Sequence, residues 1–267
     1  MATDPPGRIL IVKLSAIGDV LMATPVAKAL RIAFPESYLA WVVERKSADV
    51  VVGNPYLDEV IVWERHKEGR VINDSIGFAR GLSRLRKELR SRRFDACVDL
   101  QGLLRSAFVC LASGAKRRIG FSEGAEGSVY LYHETHNPGG DEVTAQQRNL
   151  ELLKRLGVHS TDTAMYMPVR DEDREFAGHL LEDERLSDEK LVAFCPATTW
   201  ANKHWTPQGW SGVADLIARK YGATPLALGA KADIKLAEQI AAGTSAKLII
   251  TAGKTTLKQA GALMERC

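Results

Sequence analysis

Two loops in the sequence carry side chains that could do chemistry, and each follows an apolar run. The first, Leu14–Asp19 (LSAIGD), ends in an aspartate that could act as a general base or simply cap free N–H groups of the next helix. The second, Pro196–Trp205, holds hydroxyl, amide, ammonium and imidazole groups on Thr198, Thr199, Asn202, Lys203 and His204. Such groups at the mouth of a strand suit a diphosphate, although a solvated loop anchored by its two tryptophans explains them equally well.

A third loop, 99–106 (DLQGLLRS), lies between a predicted strand and a predicted helix. Gln101 and Arg105 could face a ligand there. Asp99 and Ser106 are equally suited to ordinary packing and capping, and we favour the packing role for Asp99.

These loops are positioned by an alternation of apolar runs and helical patterns. Strands are predicted at 8–14, 38–44, 59–63, 94–100, 117–121, 190–196, 224–228 and 247–251. Helices are predicted at 20–34, 74–93, 102–113, 146–156 (with Gly157 as a C-cap), 171–184, 207–221, 231–242 and 255–266. The alternation predicts an α/β fold with parallel sheets and helices on both faces.

The periodicity lapses near residue 160 and then restarts, which predicts two domains facing a cleft. We expect a first Rossmann-like domain at 1–160, a linker at 161–171 and a second Rossmann-like domain at 172–267. Only three strands are predicted in the second domain, so we expect it to be incomplete and the chain to be truncated at its C-terminus.

Bulk properties exclude several classes of protein. A net charge of +3 over 267 residues is too small to indicate a nucleic-acid binder. No apolar stretch approaches the roughly 20 residues of a membrane span, and the N-terminus lacks a signal-peptide pattern, so we expect a cytoplasmic protein. The four cysteines lack metal spacing and are expected to be reduced and non-catalytic, with Cys97 and Cys195 buried in strands.

The helix at 74–93 carries a basic face opposite its apolar stripe. Most such faces are merely solvated, but this one could attract anionic phospholipid or a phosphorylated acceptor. Its residues are Arg84, Arg86, Lys87, Arg90, Arg92 and Arg93.

Several segments together resemble glycosyltransferase family 9, the ADP-heptose:lipopolysaccharide heptosyltransferases. They are RILIVKLSAIGDVLMATPVAKALRIAFP at the start, then WVVE, DLQGLLRSA, QQRNLELLKRLG and ATTWANKHWTPQGW. The last segment is closer to the heptosyltransferase I form than to the heptosyltransferase II form. The resemblance implies a GT-B fold, in which two Rossmann-like domains face a cleft.

The resemblance also implies roles for individual residues in an inverting, metal-independent transfer without a cofactor. Asp19 matches the family's catalytic base, and Lys203 would neutralise charge on the departing ADP. Donor-binding residues would be Thr198, Thr199, Lys203 and, as the nearest candidate at the ribose, Asp233. Acceptor-binding residues would be Ser15, Gly18, Gln101, Arg105 and Arg148. The family's later D-[TS]-G-x-x-H segment is absent from this sequence.

The implied donor is ADP-L-glycero-D-manno-heptose, and the implied acceptor is the Kdo sugar of a lipid A precursor. That acceptor would bring the protein to the cytoplasmic face of the inner membrane without spanning it. Three alternatives stay open: a heptosyltransferase II or III step, a truncated non-catalytic family member, and a dinucleotide-binding dehydrogenase. The lack of G-x-G-x-x-G after the first strand of either domain speaks against the dehydrogenase.

Overall fold

A computed structural model describes residues 5–64, 75–140, 142–198 and 201–267. The chain divides into two compact units, the first ending at Pro168 and the second comprising Val169–Cys267. Both are α/β units built on parallel sheets, which confirms the predicted fold class.

The first unit is organised around a six-stranded parallel sheet. Its strands are β1 (Arg8–Val12), β2 (Tyr38–Glu44), β3 (Glu59–Trp63), β4 (Ala96–Asp99), β5 (Arg117–Phe121) and β6 (Glu134–His136). Their order is β3-β2-β1-β4-β5-β6, which is that of a doubly wound sheet. Strands β1 and β4 are neighbours at the point where the strand order reverses, so the loops after them open onto the crevice where such folds bind ligands.

Helices cover this sheet. They are α1 (Ile17–Ala23), α2 (Pro25–Ala33), α3 (Ser75–Ser91), α4 (Leu104–Ser113) and α5 (Ala145–Glu151). Helix α3 packs against α4, while α5 contacts α1 and α2. Strand β1 is fully buried from Ile9 to Val12 because both faces of the sheet are covered, as its continuous apolar run predicts.

The second unit contains a smaller parallel sheet in the order β7-β8-β9. Its strands are β7 (Leu191–Phe194), β8 (Thr224–Ala227) and β9 (Ile249–Ile250). Its helices are α6 (Asp171–Asp183), α7 (Pro207–Tyr221), α8 (Ile234–Gly243) and α9 (Leu257–Met264). Helix α6 packs against α9, and α7 packs against α8.

The predicted helix at 20–34 is wrong in one respect, because it consists of two helices. Helix α1 ends at Ala23, and Pro25 is the first residue of α2. Proline has no N–H to continue a helical ladder, yet its fixed φ suits a first position. The prediction overlooked this proline inside an otherwise regular apolar pattern.

The helix predicted at 146–156 is also shorter than expected. Helix α5 ends at Glu151 and continues as a 3-10 turn, Leu152–Leu156. Gly157 closes that turn with a φ of 78°, which confirms it as the C-cap.

Two predictions about individual side chains are wrong. Cys195 is exposed, because β7 ends one residue before it. Arg92 does not belong to the exposed basic face of α3, since its side chain is only 19% exposed and forms an ion pair with Glu59 on β3. Cys97, by contrast, is buried as predicted.

The end of the first unit has no regular secondary structure but is held by specific contacts. Asp162 accepts a hydrogen bond from the Lys28 ammonium at 2.6 Å. The Tyr166 N–H donates to the Thr24 hydroxyl at 2.9 Å. This stretch of the predicted linker therefore packs against helix α2 and the residue that precedes it.

Candidate functional site

The loops that follow β1 and β4 are tied together at the switch point of the first sheet. The Lys13 ammonium donates to the Leu100 carbonyl at 2.8 Å. The Gln101 side-chain carbonyl accepts from the backbone N–H groups of Leu14 and Ser15, each at 3.2 Å. Because two loops from adjacent strands hold each other here, the backbone that leads to Asp19 is fixed before any ligand binds.

Arg105 and Ser15 add a further link between these loops. The Arg105 guanidinium, from the first turn of α4, donates through Nη2 to the Ser15 hydroxyl at 2.9 Å. The predicted acceptor residues Ser15 and Arg105 thus contact each other. Neither is among the residues that line the adjoining cavity.

Asp99 is the buried centre of the loop after β4. Its carboxylate is fully buried and accepts from the N–H groups of Gln101 at 2.9 Å and Gly102 at 3.3 Å, and from the Tyr132 hydroxyl at 2.8 Å. Burial raises the pKa of Asp99, while these hydrogen bonds act in the opposite direction. The predicted packing role of Asp99 is confirmed, and Ser106 caps α4 through the Leu103 N–H.

Asp19 lies in the first turn of α1 and is exposed. Its Oδ2 accepts from the Ala16 N–H at 3.2 Å, so it caps the helix as the simpler interpretation predicted. The same carboxylate also lines a cavity, so capping and a chemical role are compatible.

Gly18 is not required for the turn that leads to Asp19. Its backbone is not in the positive-φ region, and a Cβ built on it would meet nothing within 4 Å. Gly102 is the glycine that its loop requires, with a φ of 71°. At position 18 a small residue instead leaves open space next to Asp19.

The cavity beside Asp19 has a volume of about 310 Å³ and lies within the first unit. Its lining residues come from the loops after β1 and β4, from the end of β5 and from helices α1 and α5: Lys13, Asp19, Met22, Leu100, Gln101, Leu103, Phe121, Ala145, Arg148 and Asn149. Three predicted site residues, Asp19, Gln101 and Arg148, are therefore brought together.

Arg148 is held in a defined orientation at this cavity. Its Nη1 lies 2.5 Å from a carboxylate oxygen of Glu123, and its guanidinium carbon lies 4.6 Å from the ring centre of Phe121. Next to it on α5, Asn149 is only 4% exposed and donates to the Met22 carbonyl at 3.4 Å. Arginine fixed in this way can present its planar donors to an anion.

Lys13 is a residue of this cavity that sequence reasoning missed. It is only 9% exposed, and its carbonyl accepts from the Trp41 indole N–H at 3.1 Å. Burial lowers the pKa of Lys13, and Arg148 acts in the same direction, whereas Asp19 and Asp99 raise it. The signal was available, because a lysine directly after a fully buried strand has to find a polar partner.

The predicted donor loop lies in the second unit, between β7 and α7. Thr198 is half-buried, and its carbonyl lies 2.7 Å from Nε2 of His204. Lys203 ends a 3-10 turn (Ala201–Lys203) and is exposed. Thr199 lies outside the described residues.

Tryptophan packing anchors the end of this loop, as the alternative interpretation predicted. The rings of Trp205 and Trp210 meet edge to face at 5.6 Å, and Trp210 stacks on Phe194 at 5.1 Å. Trp200, the other tryptophan of the loop, lies outside the described residues. The packing of Trp205 therefore fixes the end of the loop that leads into α7.

Asp233, the predicted ribose contact, follows β8 in the second unit. Its Oδ2 accepts from the Ala230 N–H at 2.7 Å and so closes a short 3-10 turn. It packs closely against Gly229, where an added Cβ would lie 3.0 Å from the Asp233 Cβ.

The described residues contain neither a metal-binding cluster nor a membrane-spanning helix. Within the described ranges, no group of three or more His, Cys, Asp or Glu side chains could hold a metal ion. No helix among those residues has the length and apolar character needed to cross a membrane.

The fold and the cavity define a class: an α/β protein whose first unit is doubly wound and carries acidic and basic side chains at its switch point. Residues 82–267 match the sequence model of the family glycosyltransferase family 9 (heptosyltransferase). The chain therefore belongs to glycosyltransferase family 9, and it is a transferase.

Curated relatives are similar over most of the chain. The lipopolysaccharide core heptosyltransferase OpsX of Haemophilus influenzae is 25% identical over 99% of this chain and 72% of its own length. Lipopolysaccharide heptosyltransferase 1 of Escherichia coli K12 is 28% identical over 88% of this chain and 72% of its own length.

Solved structures agree with the fold. A glycosyltransferase of family 9 from Veillonella parvula superposes with a TM-score of 0.84 at 25% identity, covering 97% of this chain and 73% of that one. The E. coli heptosyltransferase WaaC with ADP-2-deoxy-2-fluoro heptose gives a TM-score of 0.74 at 24% identity, covering 97% of this chain and 80% of that one.

Proposed function

We propose that this protein transfers L-glycero-D-manno-heptose from ADP-heptose to the Kdo sugar of a lipid A precursor, with inversion at the anomeric carbon. The observation that carries the proposal is the Asp19 carboxylate, which lines a cavity at the switch point of the first sheet together with basic side chains. Family membership supports the transfer of a heptose. The names of the relatives, lipopolysaccharide heptosyltransferases, support the acceptor class.

The proposed reaction is a single displacement. Asp19 takes the proton from an acceptor hydroxyl while that oxygen attacks the anomeric carbon of the heptose. The bond from that carbon to the diphosphate oxygen breaks, and ADP leaves with the electron pair. Thr198, Thr199 and Lys203 bind the diphosphate, and the Lys203 ammonium neutralises the charge that develops on it. Asp233 contacts the ribose.

On the acceptor side, Gln101 and Arg148 contact the sugar from the cavity wall. The hydrogen bond between Ser15 and Arg105 holds the loops after β1 and β4 together, and Gly18 leaves room beside Asp19. The transfer uses no metal ion, because Lys203 supplies the positive charge that a metal would otherwise provide. Since the acceptor is a lipid, the protein works at the cytoplasmic face of the inner membrane as a peripheral protein.

A turnover assay tests this proposal. The protein is incubated with ADP-heptose and a Kdo-lipid A acceptor in EDTA, and the product is followed by mass spectrometry and its anomeric configuration by NMR. Wild-type protein is expected to form a heptosylated product of inverted configuration. Asp19→Asn is expected to lose about 10²–10⁴-fold in kcat, the usual contribution of a general base.

Asp49→Asn is the matched control, since Asp49 is an exposed acid on the 3-10 turn Arg45–Val50 of the same unit. It should keep wild-type turnover. Full activity of Asp19→Asn would remove Asp19 from the mechanism, and loss of wild-type activity in EDTA would contradict the metal-independent transfer.

A further inference from the structure

We propose that the groove between α3 and α4, with the arginines along its edge, docks on the surface of a bilayer that contains anionic phospholipid. The inference deepens the proposed function and rests on it for the choice of a membrane, since a lipid acceptor brings the protein to one. The charge, packing and exposure of the described residues select which surface meets that membrane.

The groove lies between two helices of the first unit and has apolar walls. Its volume is about 460 Å³. The side chains that form it come from both helices: Leu82, Arg86, Arg90, Phe108, Leu111 and Ala112. Leu111 is 39% exposed, and Phe108 is half-buried. An open apolar groove of this kind can take the glycerol and first methylene groups of a lipid.

Positively charged side chains follow one edge of this groove. Arg86 and Arg90 are four residues apart on α3, so they lie on the same face of the helix. Arg90 also lines a second cavity of about 430 Å³, together with Arg93 and Lys116. Because the two cavities share Arg90, the four cations form one continuous surface beside the apolar groove.

The arginines of this surface lack acidic partners. Among the residues that the structure describes, Arg86, Arg90 and Arg93 form no ion pair and no side-chain hydrogen bond. The two acids nearest to them in sequence, Glu88 and Asp95, each pair with a cation other than these three. Like charges four residues apart on a helix repel each other, so an anion above Arg86 and Arg90 would relieve that repulsion.

The mixture of charge and apolar surface selects phospholipid as the ligand. A guanidinium can donate two parallel hydrogen bonds to the oxygens of a phosphate. A polyanion such as a nucleic acid would contact the cations but would gain nothing from the exposed Leu111. A bilayer offers phosphates to the arginines and hydrocarbon to the leucine, and surfaces of this composition are typical of proteins that bind at the membrane interface.

Helix α4 links this surface to the cavity beside Asp19. Leu103, the residue before α4, lines that cavity, and Leu111 in the later part of the same helix lines the groove. Eight residues of helix separate the two by about 12 Å along the axis. A protein docked through the groove therefore keeps this cavity within a short distance of the lipid surface.

Co-sedimentation of the full chain with vesicles tests the docking surface. The vesicles contain either phosphatidylcholine alone or an equal mixture of phosphatidylcholine and phosphatidylglycerol. Wild-type protein is expected to bind the mixed vesicles about tenfold more tightly, and rising salt should weaken that binding. Arg86→Gln/Arg90→Gln should lower the affinity for mixed vesicles about tenfold or more. Equal binding of wild-type protein to both kinds of vesicle would overturn the proposal.

A matched double variant separates this surface from overall charge. Arg219→Gln/Lys235→Gln removes the same charge from exposed positions on α7 and α8 and should bind mixed vesicles as wild type does. All four positions are exposed, so both variants should keep the thermal midpoint of wild type. If the two double variants lose the same affinity, net charge and not this surface drives binding, and the proposal is wrong.

Leu111→Ser tests the apolar part of the surface. It should lower the affinity for mixed vesicles about threefold or more, because less apolar area leaves water on binding. Leu216→Ser is the control, since Leu216 is 42% exposed on α7 of the second unit. A single-stranded thymidine oligonucleotide is the competing polyanion. Unchanged vesicle affinity in Leu111→Ser, or displacement by the oligonucleotide at an equal or lower phosphate concentration, would show a polyanion site and overturn the proposal.

These measurements need neither donor nor acceptor, so they fail separately from the proposed function. If wild-type protein binds the mixed vesicles as expected but transfers no heptose, the docking surface stands and the activity is wrong. If it transfers heptose to an acceptor dispersed in detergent but does not bind the vesicles, the activity stands and the docking surface is wrong.

Discussion

At the switch point of the first sheet, the buried carboxylate of Asp99 helps to order the exposed loop that carries Asp19. Asp99 is fully buried, yet it holds the backbone of Gln101 and Gly102, and Gln101 in turn accepts from the N–H groups of Leu14 and Ser15. A chain of hydrogen bonds thus runs from the core to the loop that carries Asp19. Removing a member of such a buried network costs more than a surface contact would.

Tyr132→Phe tests this network at one atom. The substitution removes the hydroxyl that donates to Asp99 and leaves a buried carboxylate short of one donor. We expect the free energy of unfolding to fall by about 1–3 kcal/mol, measured by urea denaturation. Tyr130→Phe is the control, because Tyr130 is 88% exposed and should change stability by less than about 0.5 kcal/mol. Equal stability of the two variants would show that the Tyr132–Asp99 bond contributes little.

At the scale of elements, an ion pair joins the C-terminal end of α3 to β3. The Arg92 guanidinium donates to Glu59 through Nε at 2.6 Å and through Nη2, and Glu59 also accepts from the Tyr38 hydroxyl. Hydrogen bonding to Arg92 is the main cause that lowers the pKa of Glu59. The pair is partly buried, with Arg92 19% and Glu59 30% exposed, so solvent screens it incompletely.

Arg92→Met should destabilise the protein by about 0.5–1 kcal/mol at pH 7, after allowance for that screening. Because the folded-state pKa of Glu59 is lowered, the contribution of the pair is present above the unfolded value of about 4.3 and is lost as pH falls through the folded value. The difference in unfolding free energy between wild type and variant should therefore shrink below about pH 4. Urea denaturation at pH 7 and pH 3.5 measures it.

Lys87→Met is the matched control for this prediction, since Lys87 is an exposed cation on the same helix. It should leave stability nearly unchanged at both pH values. A gap between wild type and Arg92→Met that stays constant from pH 7 to pH 3.5 would mean that packing of the arginine stem, and not its charge, stabilises the junction.

Elements were predictable where their pattern was strong and local. The β-branched run of β1 indicates a buried strand, and the apolar stripe of α3 indicates a helix with one buried face. In both, burial sets the spacing of the apolar residues. Strand β6 (Glu134–His136) was missed, since three polar residues show no alternation and pair only because β5 lies beside them. The break at Pro25 was missed because the apolar pattern continues across it.

The sequence predicted which loops form the site, but it did not predict which side chains contact one another there. The position of Asp19 after the first strand predicted a possible chemical role for this loop, and the structure places Asp19 at a cavity within the first unit. Which side chains meet across loops depends on strand order, and the sequence does not state that β1 and β4 are neighbours. For that reason the direct contact between Ser15 and Arg105 could not be foreseen. Lys13 was missed although its position directly after a buried strand was a signal.

At the scale of the whole molecule, the two units are expected to have separate tasks, with the acceptor chemistry in the first and the donor nucleotide in the second. This division rests on the proposed function, in which Lys203 of the second unit contacts the diphosphate. A ligand that binds only the folded form raises its stability by an amount set by concentration and affinity. The two tasks can therefore be separated by measuring nucleotide binding without turnover.

ADP at a concentration of 100 times its dissociation constant should stabilise the protein by about 2.7 kcal/mol, seen as a rise in thermal midpoint. Asp19→Asn should keep that rise, because Asp19 lies in the first unit and the proposed function assigns it to the acceptor and not to the nucleotide. Lys203→Met removes a charge-assisted contact worth about 1.5–3 kcal/mol, so ADP affinity should fall about tenfold or more. Lys235→Met, an exposed lysine on α8, should bind ADP as wild type does. If ADP raises the thermal midpoint of Lys203→Met as much as that of wild type, Lys203 does not belong to the donor site. If ADP no longer raises the thermal midpoint of Asp19→Asn, the division of tasks is contradicted. Nucleotide binding would then depend on Asp19, the residue that the acceptor chemistry requires.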